Sequence, residues 1–349
     1  MVQMLGCFAH APWLTVGSGA VTVLGGTMYR ELIRGIFAAA LVLLASGVAS
    51  AQFSTIGDSP PRFEWRGRVS ADYRSEFETK SDAGDEFHAW RTGIAGEFGG
   101  PINESILVSF GTRYAHSSYD FNLDFGSPPV YGTTSLPRDP WNSLNTIDFL
   151  PSTTILVGEK VAVVLALPIR YAGESGTDRN GFAAGVSALV RWQISDTVSV
   201  GVGLGVTSQL EKEAETFPIV ALKWRITEGL TLMTEGDWFQ GGRTTLLWGT
   251  SNSIRFTISA GYERTRFRLD DNGTTADTNG IGEITTIPVE VGVRIRLMES
   301  AFLDVKTGLG IAGRIRVESD NGRKLYDQQF DPAPRVGIAI TFPFGLPAR

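Results

Sequence analysis

The chain has 349 residues, 41 of them glycine, with 19% charged side chains and a mean hydropathy of +0.02. This excludes a helical membrane protein, which needs several apolar runs of about 20 residues. It allows a β-barrel, where lipid-facing and lumen-facing residues cancel in the average. A net charge of −6 with no basic cluster excludes nucleic acid as a partner.

Residues 1–27 carry no charge and read as an upstream extension, with Met28 as the true start. Leu5-Gly6-Cys7 lacks the apolar run that a lipoprotein signal needs before it. Residues 28–51 read as a secretory signal peptide. Arg30 and Arg34 form its positive region, residues 35–44 its apolar core, and Ala49-Ser50-Ala51 the cleavage site before Gln52. That core is too short for a membrane anchor, which takes at least about 17 residues. Cleavage removes Arg30, Arg34 and Glu31, leaving 29 basic and 36 acidic residues and a charge of −7. It also removes Cys7, the single cysteine, so the exported chain takes its stability from something other than disulfides.

From Phe63 onward, apolar and polar residues alternate for about ten positions at a time, the period of a strand with two unlike faces. Phe63, Trp65, Val69, Ala71 and Tyr73 share one face of the first strand; Glu64, Arg66, Arg68, Asp72 and Arg74 share the other. The second carries Trp90, Ile94 and Phe98, and the third Ile106, Val108, Phe110 and Tyr114. A less regular fourth spans 144–157, and a fifth runs from Val161 to Tyr171. Phe182 to Ile194, Val198 to Val206, and Val220 to Ile226 give the sixth, seventh and eighth. The ninth holds Leu230, Leu232 and Trp238; a short tenth lies at 244–248. Ile254 to Tyr262, Ile287 to Leu297, Leu303 to Ile311, and Val336 to Phe344 complete the series.

The pattern predicts an all-β, antiparallel, up-and-down transmembrane β-barrel of about 14 strands over residues 52–349, or 12 if the short tenth and a neighbour are loops. Tight turns at 158–159, 195–196, 227–229, 251–252 and 299–300 alternate with longer polar loops at 75–86, 116–143, 173–181, 211–216, 270–282 and 319–332. Short turns on one side and long loops on the other are the outer-membrane arrangement. Trp192 and Trp224 precede turns, whereas Tyr73, Tyr114, Tyr171, Trp238 and Tyr262 precede loops, as two interfacial belts would. A soluble sandwich is disfavoured, because its strands run about five or six residues.

Three motifs lie at strand-to-loop junctions: Arg266-Phe267-Arg268-Leu269-Asp270-Asp271; Arg314-Ile315-Arg316-Val317-Glu318 with Asp320-Asn321-Gly322; and Asp331-Pro332-Ala333-Pro334. On these the C-terminal half, from about Ile254 to Phe344, resembles a family of bacterial outer-membrane β-barrels of unknown function. The resemblance implies a barrel in the outer membrane and supplies no substrate. Barrels of this kind tend to end on an aromatic residue; here Phe344 is followed by five more residues.

Charge on the lipid face near mid-bilayer costs about 2–4 kcal/mol for Arg or Lys. Lys223, Arg225, Glu235, Asp237, Arg255, Glu290, Arg294, Arg296, Asp304 and Lys306 all fall on polar faces and are therefore expected to line the lumen. Glu290, Arg294, Asp304 and Lys306 are placed to pair across adjacent strands. Such a lining serves either as a selectivity surface for a small polar solute or as a salt-bridged stiffener. His116 and Ser118, two apart, share a strand face and form the one nucleophile–base candidate, with Asn122 or Asn142 as the orienting group. Tyr119 stands where lipid-hydrolysing barrels of this pattern usually carry Asn. His88 is the only other histidine of the exported chain, so no histidine metal site is expected and no cofactor is implied.

The expected function is a passive or gated conduit for small polar solutes. The alternatives are an interaction barrel acting through its loops and a lipid-modifying enzyme built on His116 and Ser118. The expected partners are outer-membrane lipid, lipopolysaccharide and the barrel-assembly machinery.

Overall fold

The structure, a computed structural model, describes residues 65–80, 86–122, 140–177, 181–210, 212–237, 241–249, 253–270, 278–298 and 300–345. The chain divides into residues 1–42 and 43–349, and every described residue belongs to the second unit. The upstream extension, the signal peptide and its cleavage site lie outside the described residues.

The strands are β1 (Arg66–Lys80), β2 (Glu86–Pro101), β3 (Ile106–Asn122) and β4 (Ser143–Val157). Next come β5 (Val161–Ala166), β6 (Ile169–Glu174), β7 (Phe182–Ser195) and β8 (Val198–Gln209). Then follow β9 (Lys212–Thr227), β10 (Leu230–Asp237), β11 (Gly241–Trp248) and β12 (Ile254–Arg268). The last are β13 (Ile281–Met298), β14 (Ala301–Glu318), β15 (Lys324–Phe330) and β16 (Ala333–Gly345).

Apart from the β5/β6 and β15/β16 breaks, consecutive strands pair antiparallel, and β1 pairs with β16 from Arg66↔Gly345 to Glu76↔Arg335, so the sheet closes on itself. β5 and β6 are one wall strand broken at Leu167-Pro168, and β15 and β16 are another broken at Asp331-Pro332. The wall is thus a 14-strand barrel. The short tenth strand of the sequence pattern is real and is β11. Several segments read as loops hold strand: β1 runs to Lys80 within 75–86, β3 to Asn122 within 116–143, β9 begins at Lys212 within 211–216, and β15 lies within 319–332. They carry strand beyond the apolar band, where lipid no longer enforces apolar alternation.

Outward positions carry the apolar set. Ile94, Val186, Leu204, Ile258 and Val291 are each more than half exposed, as lipid contact requires. Tyr73 and Tyr114 mark the loop-side edge of this band; Trp192, Trp224 and Trp248 mark the turn side. Phe344 stacks on Phe98 and covers Gly67, clasping the closure seam on its outer face despite the residues that follow it.

Four ladder faults fall at one height just past Tyr262. The β12–β13 ladder skips from Ala260↔Val289 to Glu263↔Thr286, where Pro288 has no N–H to donate. The β13–β14 register shifts between Thr285 and Ile287. Ala312 takes a positive φ of 52°, and β15 ends where β16 begins. Such faults bend strands. Above this line the ends of β12, β13, β14 and β15 form a cap that reaches the opposite wall, where Arg268 of β12 pairs in parallel with Gly173 of β6.

Candidate functional site in the barrel interior

The underside of the cap is apolar. Phe267, Leu269, Ile315, Val317 and Phe330 pack there against Phe87, Ala89, Phe121, Leu144 and Ala172 of the facing wall. Trp141, 1% exposed, sits between the two sides, edge-on to Phe121 and Phe267 at 5.0 Å each and to Tyr119 at 5.9 Å. The Phe267 ring lies over Gly282, where any larger residue would lift it away from Trp141. Asp270 N–H also donates to Glu174 Oε2 across the contact, at 3.2 Å. Two walls of a mid-sized barrel meet here around aromatic packing.

The upper face of the cap is ionic. Arg266 donates to Glu283 at 3.1 Å, to Glu318 at 2.6 Å and to the carbonyl of Leu210. Arg264 bridges Glu283 and Glu215 of β9, both at 2.9 Å. Arg314 grips Asp327 through two donors at 2.5 and 2.6 Å, and Lys324 adds a third. The hydrogen bonds from Arg314, outweighing partial burial, hold the Asp327 carboxyl down at about 2. Burial works against the charged form of Glu283 as well, but Arg264 and Arg266 keep its carboxyl below the usual range.

Below the cap a charged lattice spans the interior. Arg335, 1% exposed, donates to Glu76 at 2.9 Å and Glu263 at 3.0 Å, and lies 3.5 Å from Glu290. Glu263 also accepts from Arg74 and Arg243, at 2.8 and 3.0 Å, and Arg243 reaches Glu290 at 2.6 Å. These residues sit on β1, β11, β12, β13 and β16; Arg335–Glu76 and Arg243–Glu263 join neighbouring strands, and the other pairs reach across one or more intervening strands. Three guanidiniums and three carboxylates balance, and each buried charge has its partner, as burial demands. A small pocket adjoins the lattice, lined by Arg74, Glu76, Arg91, Ser117, Tyr119 and Glu263 among others.

On the opposite side the interior turns apolar: Val164 of β5, Leu189 of β7, and Phe217, Ile219 and Ala221 of β9 cluster together. The Phe217 ring lies flat on Gly205, and Leu189 packs near Gly201, so the glycines of β8 make room for side chains lying along the wall.

The sequence-predicted charges whose side chains are described lie on β9, β12, β13 and β14. Arg294 pairs with Asp304 at 2.8 Å, as their placement on adjacent strands suggested. Glu290 instead takes Arg243 and Arg335. Lys223 stands on the inner face of β9, opposite Ser199, and Lys306 on β14 opposite Gly292. Arg225 donates to the Asp196 carbonyl at 2.8 Å near a turn; Arg296 lies 6.0 Å over the Phe302 ring; Arg255 is exposed. The side chains of Glu235 and Asp237 lie outside the described residues.

Sequence reading missed the residues that organise the interior: Arg74, Glu76, Arg243, Glu263 and Arg335. It also missed a signal in β12. Arg264, Arg266 and Arg268 share the parity of Ile258 and Tyr262, and guanidiniums on the apolar parity mean that the strand has left the hydrocarbon.

His116 and Ser118 lie on the outward face with Tyr114. His116 Nδ1 is 3.1 Å from Asn145 Oδ1, which also accepts from the Tyr114 hydroxyl. Asn145, rather than Asn122 or Asn142, is thus the neighbour of this histidine. Among the described residues no cluster of His, Cys, Asp and Glu is arranged to hold a metal ion.

No family model and no curated protein sequence matches the chain. Solved structures to which the chain is similar include an outer membrane channel of the COG4313 type from Pseudomonas putida F1. It is 7% identical, with a TM-score of 0.44, over 85% of this chain and 100% of that one. The P. putida toluene transporter TodX is 9% identical, with a TM-score of 0.41, over 87% and 97%. The translocator domain of the autotransporter NalP from Neisseria meningitidis is 11% identical, with a TM-score of 0.33, over 93% and 100%.

Proposed function

We propose that the chain is a gated outer-membrane conduit, its loop-side mouth closed by the cap and its passage controlled by movement of the cap. The observation that carries this reading is the contact of opposite walls at Trp141 and Phe267, reached only because the ladder faults bend β12 to β15 inward. The line of ladder faults is where such a movement hinges. The inner charges, including Lys223, Arg225, Arg255, Arg294 and Lys306, supply a polar wall suited to small hydrated solutes below the gate.

The test uses cysteines at Arg268→Cys and Gly173→Cys, the two partners where cap and wall pair. In planar bilayers the reduced protein should show brief openings. Oxidation should abolish them, and a reductant should restore them. No conductance in either redox state removes the conduit, and equal conductance in both removes the gate.

A further inference from the structure

The outward face of β2, β3 and β4 changes character row by row. Ile94, Tyr114 and Ile147 lie abreast, 45–59% exposed, at the loop-side edge of the apolar band. The next row is Thr92, His116 and Asn145, and the one above it is Trp90, Ser118 and Ser143. Two residues of a strand tilted by about 40° rise about 5 Å. The interfacial layer outside the hydrocarbon is about 5–8 Å deep. His116 therefore stands at the level where outer-leaflet lipids carry their acyl esters, between tails and headgroups.

A hydrogen-bonded network holds this histidine in one state. Asn145 Oδ1 accepts from the Tyr114 hydroxyl at 2.9 Å and lies 3.1 Å from His116 Nδ1. Asn145 Nδ2 donates to Ser175 Oγ at 2.9 Å, and Ser143 Oγ donates to the same oxygen at 2.8 Å. With its N–H turned toward Ser175, the amide presents only its carbonyl oxygen to the imidazole. That oxygen only accepts, so Nδ1 carries the proton and Nε2 keeps its lone pair. The Trp90 ring, 5.6 Å from the imidazole and tilted by 58°, flanks it on the β2 side. Ser118 shares the outward face two positions along the strand. A base fixed in its tautomer by a third side chain, beside a hydroxyl, is what makes a serine nucleophilic.

We propose that Ser118, His116 and Asn145 form a lipid-facing acyl-hydrolase site whose substrate is a fatty-acyl ester of an outer-leaflet lipid. The site is independent of the conduit, because it lies on the other face of the wall. Ser118 Oγ attacks the ester carbonyl carbon, and its proton passes to His116 Nε2, the pair closing as substrate binds. The tetrahedral intermediate expels the lipid alkoxide, which takes that proton from Nε2, and the acyl group stays on Ser118. Water then attacks the acyl-serine, with Nε2 as base. The proton returns to Oγ as the serine leaves, and a fatty acid is released. Asn145 is a positioning residue: it keeps Nδ1 protonated and stabilises the imidazolium formed in each half of the cycle.

A fluorophosphonate probe reports an activated serine without the natural lipid. The wild-type barrel in detergent micelles should take the label, and mass spectrometry should map it to Ser118. Fatty-acid release is followed from phosphatidylethanolamine and, separately, from lipid A; the lipid that is cleaved supplies the ester. Ser118→Ala and His116→Ala should each lower release by at least about a hundredfold, with heat-modifiable migration and conductance unchanged. Asn145→Leu should lower kcat by a similar factor at unchanged KM, and Asn145→Asp, which still accepts from Nδ1, should recover most of it. Wild-type protein that neither takes the label nor cleaves either lipid overturns the proposal. Label mapped elsewhere, or release that persists in Ser118→Ala, overturns the nucleophile. Wild-type kcat in Asn145→Leu overturns the role of Asn145.

Discussion

Replacing Trp141 with alanine should turn a closed barrel into a leaky one. The indole is 1% exposed and packs edge-on against three rings, two on the wall and one on the cap. Truncating a buried Trp costs about 3–5 kcal/mol, of which each aromatic pair accounts for roughly 0.5–1.5. If half of that loss falls on the contact between cap and wall, the open fraction rises about twelve- to sixty-fold, since about 1.4 kcal/mol is a factor of ten. The wall should survive, because β3 and β4 remain paired from Ile106↔Ile155 to Ser118↔Ser143. Single-channel recording gives the open probability, and heat-modifiable migration on gels confirms that the barrel is intact. Trp141→Phe keeps part of the packing and should fall between wild type and alanine. An intact alanine variant with wild-type open probability refutes the idea that this cluster holds the gate.

Arg335→Met should lower the barrel's thermal unfolding midpoint, because Glu76, Glu263 and Glu290 lose a shared buried partner; breaking such a pair costs about 3–5 kcal/mol. A midpoint equal to wild type would show that Arg74 and Arg243 suffice. Acid should loosen the cap before the wall. Asp327 is held at about 2 against an ordinary 3.8, so its contribution is complete above pH 4 and disappears as pH falls toward 2. Protease sensitivity of 313–330 should rise across that window, and Asp327→Asn should be as sensitive at neutral pH as wild type is in acid. Ser118→Ala should leave conductance unchanged, since Ser118 shares the outward face of β3 with Tyr114; a changed conductance would place it in the conduit.

The wall was legible in the sequence because lipid imposes a strict period of two. Val198 to Val206 alternates with Ser199, Gly201, Gly203 and Gly205 without a break, and β8 spans that run. The cap was not legible for the same reason. Past Tyr262 neither face of a strand meets hydrocarbon, so Arg266-Phe267-Arg268-Leu269 still alternates while its outward residues are charged. Read as strand-to-loop junctions, the Arg266–Asp271 and Arg314–Glu318 motifs hid a second layer of structure. The charged lattice was half legible. Parity places Glu290 and Asp304 inside, but only closure of the ring brings Arg74 of the first strand to Glu263 of the twelfth.

Proline marks where this wall bends or breaks. Pro288 stands where the β12–β13 ladder skips, Pro332 between β15 and β16, Pro168 between β5 and β6, and Pro218 on β9 beyond its last ladder pair with β10. Each removes a donor that an unbroken wall would need. Three of the four accompany a bend or break that leaves closure intact, because the neighbouring strand re-pairs within a few residues. At Pro218 the ladder to β10 does not resume. Mutating Pro218 to valine supplies the missing N–H and a β-branched side chain. If the ladder stops only because its edge lacks a donor, β9 and β10 should then zip further, and hydrogen exchange at Val220, whose carbonyl already faces Thr234, should slow. If β10 is simply too short to follow, exchange should stay unchanged, and the extent of pairing is set by the β10–β11 hairpin instead.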